Sequence, residues 1–138
     1  PGLSGTYESI NQYGCYRTVL GTNSTVDDIL VQYPDLAEKR MLDGYPTVEN
    51  GYYLYVLVLT NRNFDSSVAN PAYGEKGKVL ATSSIHSREF APAETMTRFA
   101  EYLLQNYNTD PDIRWILDWN EIHLILHANP DGRKYDEV

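Results

Sequence analysis

The sequence predicts an α/β fold, with strands and helices alternating along the chain and helices packed on a sheet. Three stretches carry that expectation. Tyr52 to Thr60 reads Tyr-Tyr-Leu-Tyr-Val-Leu-Val-Leu-Thr, a strand rich in aromatic and β-branched residues. Val79, Leu80 and Ala81, after Gly77, form an apolar run of the kind expected for a strand buried on both faces. Glu121 to Ala128 alternates: Ile122, Leu124, Leu126 and Ala128 face one way, and Glu121, His123, Ile125 and His127 face the other.

The remaining elements follow in order. Residues 1–12 read as a loose polar lead-in. Ser24-Thr25-Val26-Asp27 resembles a capping box with Asp in place of Glu, and it predicts a helix with Val26, Ile29, Leu30 and Tyr33 on one face, stopped by Pro34. Lys39 to Asp43 reads as a short strand. The turn signal at Asn50-Gly51 makes it antiparallel to Tyr52–Thr60. Asn61 to Lys76 is polar, contains Asn70-Pro71 and reads as a long loop. Met96, Phe99, Ala100, Leu103, Leu104 and Tyr107 lie on one face at the helical period, and Pro92 suits the first turn of that helix. Ala91 precedes proline, so His86 to Ala91 is read as loop. Asp110-Pro111 opens a second helix, flanked by Trp115 and Trp119, for which packing roles are expected. Asn129-Pro130-Asp131-Gly132 has the composition of a β-turn, with proline second and glycine fourth.

At 138 residues and 42% hydrophobic content, the chain suits one domain with a core. Its formal charge of −8 argues against binding nucleic acid or an anionic membrane, since both want a basic face. No stretch approaches the roughly 18 apolar residues of a membrane span. Pro1-Gly2-Leu3-Ser4-Gly5 has neither the basic start nor the apolar core of a signal peptide. Cys15 is the single cysteine, so no internal disulfide can form. It reads as a buried small apolar residue or as one that pairs outside this chain.

Chemistry concentrates at Ile85-His86-Ser87-Arg88-Glu89-Phe90-Ala91-Pro92-Ala93-Glu94, between a strand and a helix. In open α/β sheets the carboxyl edge of the strands is where ligands bind. An imidazole and a carboxylate three residues apart can be aimed by a tight turn at one point, and both are good zinc ligands at about 2.0–2.2 Å. A catalytic zinc site usually has three protein ligands and an open water position. Taken as four residues, His86-Ser87-Arg88-Glu89 fits equally a loop histidine paired with a nearby glutamate. His123 and His127 are a different case. On a strand, four residues separate them by roughly 13 Å, too far to share one ion, so both read as structural or solvent-facing. Glu94, near the helix start, is explained by the helix dipole.

The longer stretch Ile85–Glu94 closely resembles the zinc-binding segment of the M14 zinc carboxypeptidases. Asn129-Pro130-Asp131-Gly132 resembles a second signature of that family, and Cys15-Tyr16-Arg17-Thr18 the start of the catalytic domain in its bacterial members. The resemblance spans nearly the whole chain in the right order. It implies a mixed, mostly parallel sheet between two helical layers. It implies Zn2+ as cofactor, His86 and Glu89 as two of three zinc ligands, and Arg88 as a contact to the substrate backbone. The carbonyl-polarising arginine, the Asn-Arg pair that grips the terminal carboxylate, the third histidine, the mobile tyrosine and the general-base glutamate would lie beyond Val138.

Residues 1–138 are therefore expected to be the N-terminal half of a single catalytic domain, with the missing C-terminal half as its partner. The complete protein is expected to be a secreted or periplasmic metallocarboxypeptidase acting on the C-termini of peptides or proteins. Two alternatives stand beside this. A related zinc amidohydrolase or deacylase also uses His-x-x-Glu, though its flanking sequence is less similar. A non-catalytic peptide-binding pseudoenzyme would keep the fold without the chemistry.

Overall fold

The computed structural model describes residues 7–42, 44 and 46–138. The first half of the expected polar lead-in, and Asp43 at the end of the expected first strand, lie outside them. The element order is β1 (Ser9–Ile10), β2 (Tyr13–Arg17), α1 (Val19–Gln32), β3 (Ala37–Met41), β4 (Tyr55–Leu59), α2 (Ser66–Ala69), β5 (Gly77–Thr82), α3 (Phe90–Asn106), α4 (Pro111–Trp119), β6 (Asn120–Ile125) and α5 (Pro130–Asp136).

The main sheet is mixed, in the order β3-β4-β6-β5. β3 pairs antiparallel with β4, as the Asn50-Gly51 turn predicts, with Ala37 opposite Leu59 and Met41 opposite Tyr55. β4 pairs antiparallel with β6 through Leu57 opposite Leu124. β5 runs parallel to β6 from Gly77 opposite Asn120 to Thr82 opposite Ile125. Parallel neighbours need a crossover, and α3 and α4 supply it.

One core joins these elements. Leu57, Leu59, Leu124 and Leu126 from the sheet side meet Val26 and Ile29 of α1, Ala100, Leu103 and Leu104 of α3, and Ile113 and Leu117 of α4. All are buried, so the helical stripes read from the sequence point at the sheet. Phe99 departs from its expected face and is exposed; Ala93 and Thr97 complete the buried arc of α3 instead.

Several local expectations are corrected. α1 starts at Val19, not at Ser24. Thr18 is its N-cap, accepting from the Gly21 amide at 2.9 Å, while the Thr25 hydroxyl lies inside the helix and donates to the Gly21 carbonyl. Gly21 is required by crowding, since a Cβ there would run into the Glu8 carbonyl oxygen. The lead-in is not structureless: β1 and β2 form a small antiparallel ribbon. Cys15 is exposed on it, not buried. The long loop contains α2, capped by Asp65. Asn129 to Gly132 does not simply reverse the chain; Asn129 caps α5 by accepting from the Gly132 amide at 3.0 Å. Asn at the cap with Pro next reads as a helix start as well as it reads as a turn. Trp119 packs against Phe64 and Tyr73, but Trp115 is exposed.

β5 is also corrected. It lies at the edge of the described sheet, and Val79 and Leu80 are 53% and 64% exposed. An apolar run records that a strand is suited to cover on both faces; among the described residues no strand pairs with the outer side of β5.

Candidate active site

The site is built where β5 ends. Ser83 and Ser84 continue from β5 and are stitched to the chain leaving β6. The Ser83 amide donates to the Ile125 carbonyl at 2.9 Å, and the amides of Ala128 and Asn129 donate to the carbonyls of Ser83 and Ser84 at 3.0 and 3.1 Å. Ser84 takes a positive φ of 54°, an uncommon conformation that redirects the backbone. The chain then turns, and the Glu89 amide donates to the His86 carbonyl at 3.2 Å. α3 begins at Phe90, two residues before Pro92, so the expected loop is shorter than its sequence suggested.

Glu89 is the N-cap residue of α3, yet its carboxylate makes no capping hydrogen bond. It lies instead beside His86, with Oε1 3.5 Å from Nδ1. Two ligands bound to one zinc ion at about 2.0–2.2 Å in near-tetrahedral geometry sit roughly 3.4 Å apart, so this donor pair fits a shared ion. The side chains are 77% and 59% exposed, and they open on a cleft of about 540 Å³ lined by Ile85, His86, Ser87, Arg88, Glu89, Asn129 and Asp136. Arg88 thus lines the same cleft as the pair. Among the described residues no group of three or more His, Cys, Asp or Glu gathers for a metal.

His123 and His127 stay apart from this pair. His123 is paired with Glu121 at 2.8 Å. His127 lies beyond the end of β6, buried against the Thr22 hydroxyl at 3.1 Å. Burial first, then the positive charge of Arg133, pulls its pKa down to about 3, so it is neutral at ordinary pH.

Other residues that organise the site were not read from the sequence. Arg133 of α5 is buried, and its guanidinium reaches back to the Ser87 and Glu89 carbonyls. Asp131 binds the turn at 47–52 through Thr47 Oγ1 at 2.7 Å and through the Glu49 and Asn50 amides. Desolvation pushes the Asp131 carboxyl up, but these hydrogen bonds outweigh it and the net shift is downward. Glu94 is not merely a dipole partner. It is buried, accepts from the Arg17 amide at 2.9 Å, and pairs with Arg17 and Arg98 at 3.3 and 2.7 Å, tying β2 to α3. The cap role of Asn129 is readable, since an Asn-Pro pair is a helix-start signal, and so is the i,i+4 pairing of Glu94 with Arg98; the contacts of Arg133 with Ser87, Glu89 and Arg17, and of Glu94 with Arg17, span long stretches of sequence and leave no local pattern.

Comparison with known proteins agrees with this architecture. The family model for zinc carboxypeptidase matches residues 22–137. A zinc carboxypeptidase of Saccharothrix mutabilis subsp. capreolus is 29% identical over 133 residues, which cover 96% of this chain and 28% of that protein. Bovine carboxypeptidase A1 is 28% identical over 124 residues, 87% of this chain and 26% of the other. Among solved structures, thrombin-activatable fibrinolysis inhibitor superposes with a TM-score of 0.74 at 21% identity, covering 88% of this chain and 28% of that one. A metallo-carboxypeptidase from Burkholderia cenocepacia gives 0.69 at 20% identity, covering 90% and 30%. The chain thus spans little more than a quarter of the length of the first of these relatives.

Proposed function

The chain belongs to the zinc carboxypeptidase family, and from that premise we propose that His86 and Glu89 are two of the protein ligands of a catalytic zinc ion in a metallocarboxypeptidase. The observation that carries the reading is the 3.5 Å approach of His86 Nδ1 to Glu89 Oε1 at the carboxyl end of β5, with both groups facing an open cleft. A bound zinc ion supplies Lewis acidity, lowering the pKa of a coordinated water and polarising a carbonyl. The chain's own residues do the rest of what can be assigned. His86 and Glu89 present lone pairs from a turn fixed at both ends. The exposed Arg88, lining the same cleft, would donate to a peptide carbonyl of substrate. Asn129 and Asp136 also line the cleft.

The general base, the third ligand and the groups that recognise a terminal carboxylate are assigned to chain beyond Val138, so residues 1–138 are one part of a single catalytic domain. The unpaired edge of β5, with Val79 and Leu80 exposed, supports a second body covering this flank. The substrates proposed are the C-termini of peptides or proteins. A secreted or periplasmic location is proposed on the family resemblance; among the described residues no helix is long and apolar enough to cross a membrane.

The test is hydrolysis of a blocked dipeptide by the longest native chain that carries these residues. Release of the C-terminal amino acid is expected to stop with a chelator, return with zinc, and be lost in His86→Ala and Glu89→Ala. Residues 1–138 alone are expected to be inactive. Activity that persists in both variants would overturn the reading.

A further inference from the structure

We propose that Arg133 is a positioning residue for the His86–Glu89 pair, holding the turn between them so that both side chains converge. The proposal rests on the zinc reading above and concerns a residue outside the liganding turn.

Arg133 is 0% exposed, on a helix of seven residues that follows β6. One guanidinium nitrogen, Nη1, donates to the Ser87 carbonyl at 3.3 Å and the Glu89 carbonyl at 3.5 Å. The other, Nη2, donates to the Arg17 carbonyl at 3.2 Å. The group lies 4.2 Å over the Phe90 ring, and Nε is 3.7 Å from Glu137 Oε1. Glu137 Oε1 in turn accepts from the Val19 amide at 2.6 Å, at the start of α1. The arginine therefore joins two segments distant in sequence: the end of β2, and the liganding turn with the first residue of α3.

The two carbonyls it holds in the turn belong to peptide planes on either side of Arg88 and Glu89. Fixing both planes fixes the direction in which Glu89 leaves the backbone. This matters because Glu89 occupies a cap position without making a cap bond, so the helix start itself does not orient its carboxylate. Burying a guanidinium is costly, and apolar residues of similar size often serve stability as well or better. An apolar side chain could fill the space. It could not bind carbonyls of irregular backbone, and the planar five-donor fork of arginine can. Groups that orient metal ligands in this way typically contribute about 10–100-fold to metal affinity.

The experiment measures zinc affinity by competition with a chromophoric chelator, and the visible absorption of the cobalt-loaded protein, in the longest native chain that carries these residues. Arg133→Lys keeps the charge but loses the fork. It is expected to weaken zinc binding about 10–100-fold and to change the cobalt spectrum, with far-ultraviolet circular dichroism unchanged. Glu137→Gln leaves the carbonyl contacts in place, and it is expected to lower the melting temperature while zinc affinity stays within about twofold. An Arg133→Lys protein that binds zinc within twofold of wild type, with the same cobalt spectrum, would overturn the proposal. Should Arg133→Lys not fold, Phe90→Leu removes only the ring beneath the guanidinium. A loss of roughly three- to tenfold in zinc affinity supports the proposal, and no change overturns it. Failure of the underlying zinc reading shows separately, as a wild-type protein that binds no zinc or a His86→Ala protein that binds it as tightly; either sinks both.

Discussion

β4 and β5 are apolar strands of similar composition with opposite fates. In β4, Val56, Leu57, Val58 and Leu59 are all buried, because β3 and β6 pair on either side and α1, α3 and α4 contribute to the core beneath. In β5, Val79 and Leu80 are exposed, and among the described residues only β6 pairs with it. Among the described residues, one flank of the sheet is covered and the other is open. The candidate site lies at the end of the strand on the open flank. There, local stitching by the chain beyond β6 and by α5 does what strand neighbours do for β4.

The largest effects are expected at the buried Glu94–Arg17 pair beside the site and at the centre of the covered flank. Glu94→Ala would leave the buried Arg17 with only Glu101, at 2.8 Å, and is expected to cost about 3–5 kcal/mol by urea denaturation. Leu57→Ala, in the middle of β4 and fully buried, is expected to cost about 2–5 kcal/mol in the same assay. A Leu57→Ala protein that unfolds at the wild-type midpoint would show that the covered flank does not hold the fold, and a Glu94→Ala protein that does so would show that the buried pair contributes nothing.

His127 gives a smaller, pH-dependent effect. The unfolded chain takes up its proton near the ordinary value of 6.5 and the folded chain only near about 3. Below pH 6.5 the unfolded state therefore binds more protons, and stability falls as pH falls until about 3. The slope from this residue is about 1.4 kcal/mol per pH unit. His127→Gln is expected to flatten the stability–pH curve between pH 6 and about 4 relative to wild type. Parallel curves for the two proteins would show that His127 is not held neutral.

The smallest effect is expected on the open flank. Leu80→Ala should change the stability of residues 1–138 by no more than about 0.5 kcal/mol, since its side chain has little to lose. In the longest native chain the same change should cost more; the exposed Val79 and Leu80 are expected to make residues 1–138 self-associate in sedimentation, and Leu80→Lys to reduce that association. A large loss from Leu80→Ala in the short chain would mean that β5 is already covered.

What the sequence disclosed follows from the range of the interactions involved. The periodicity of α3, the Asp110-Pro111 start of α4 and the Asn50-Gly51 turn are local signals, and each was legible. So was the pairing of His86 with Glu89, because three residues and one turn set it. The start of α1 was misplaced because Ser24-Thr25 imitates a cap while Thr18 performs it. The exposure of β5 could not be read from Val79-Leu80-Ala81, since burial depends on neighbours that periodicity does not specify. The long-range contacts of Arg133 and Glu94 are hidden for the same reason: Ser87, Glu89 and Arg17 lie 44 or more residues away from them along the chain.

The most direct test of the central claim, that the turn at β5 supplies two ligands to one metal ion, is a calorimetric zinc titration of residues 1–138. With two donors, the wild-type chain is expected to bind one zinc ion weakly. That binding should vanish in His86→Ala and in Glu89→Ala, and should be unchanged in His123→Ala. Tight one-to-one binding that survives His86→Ala would place the ligands elsewhere and contradict the account.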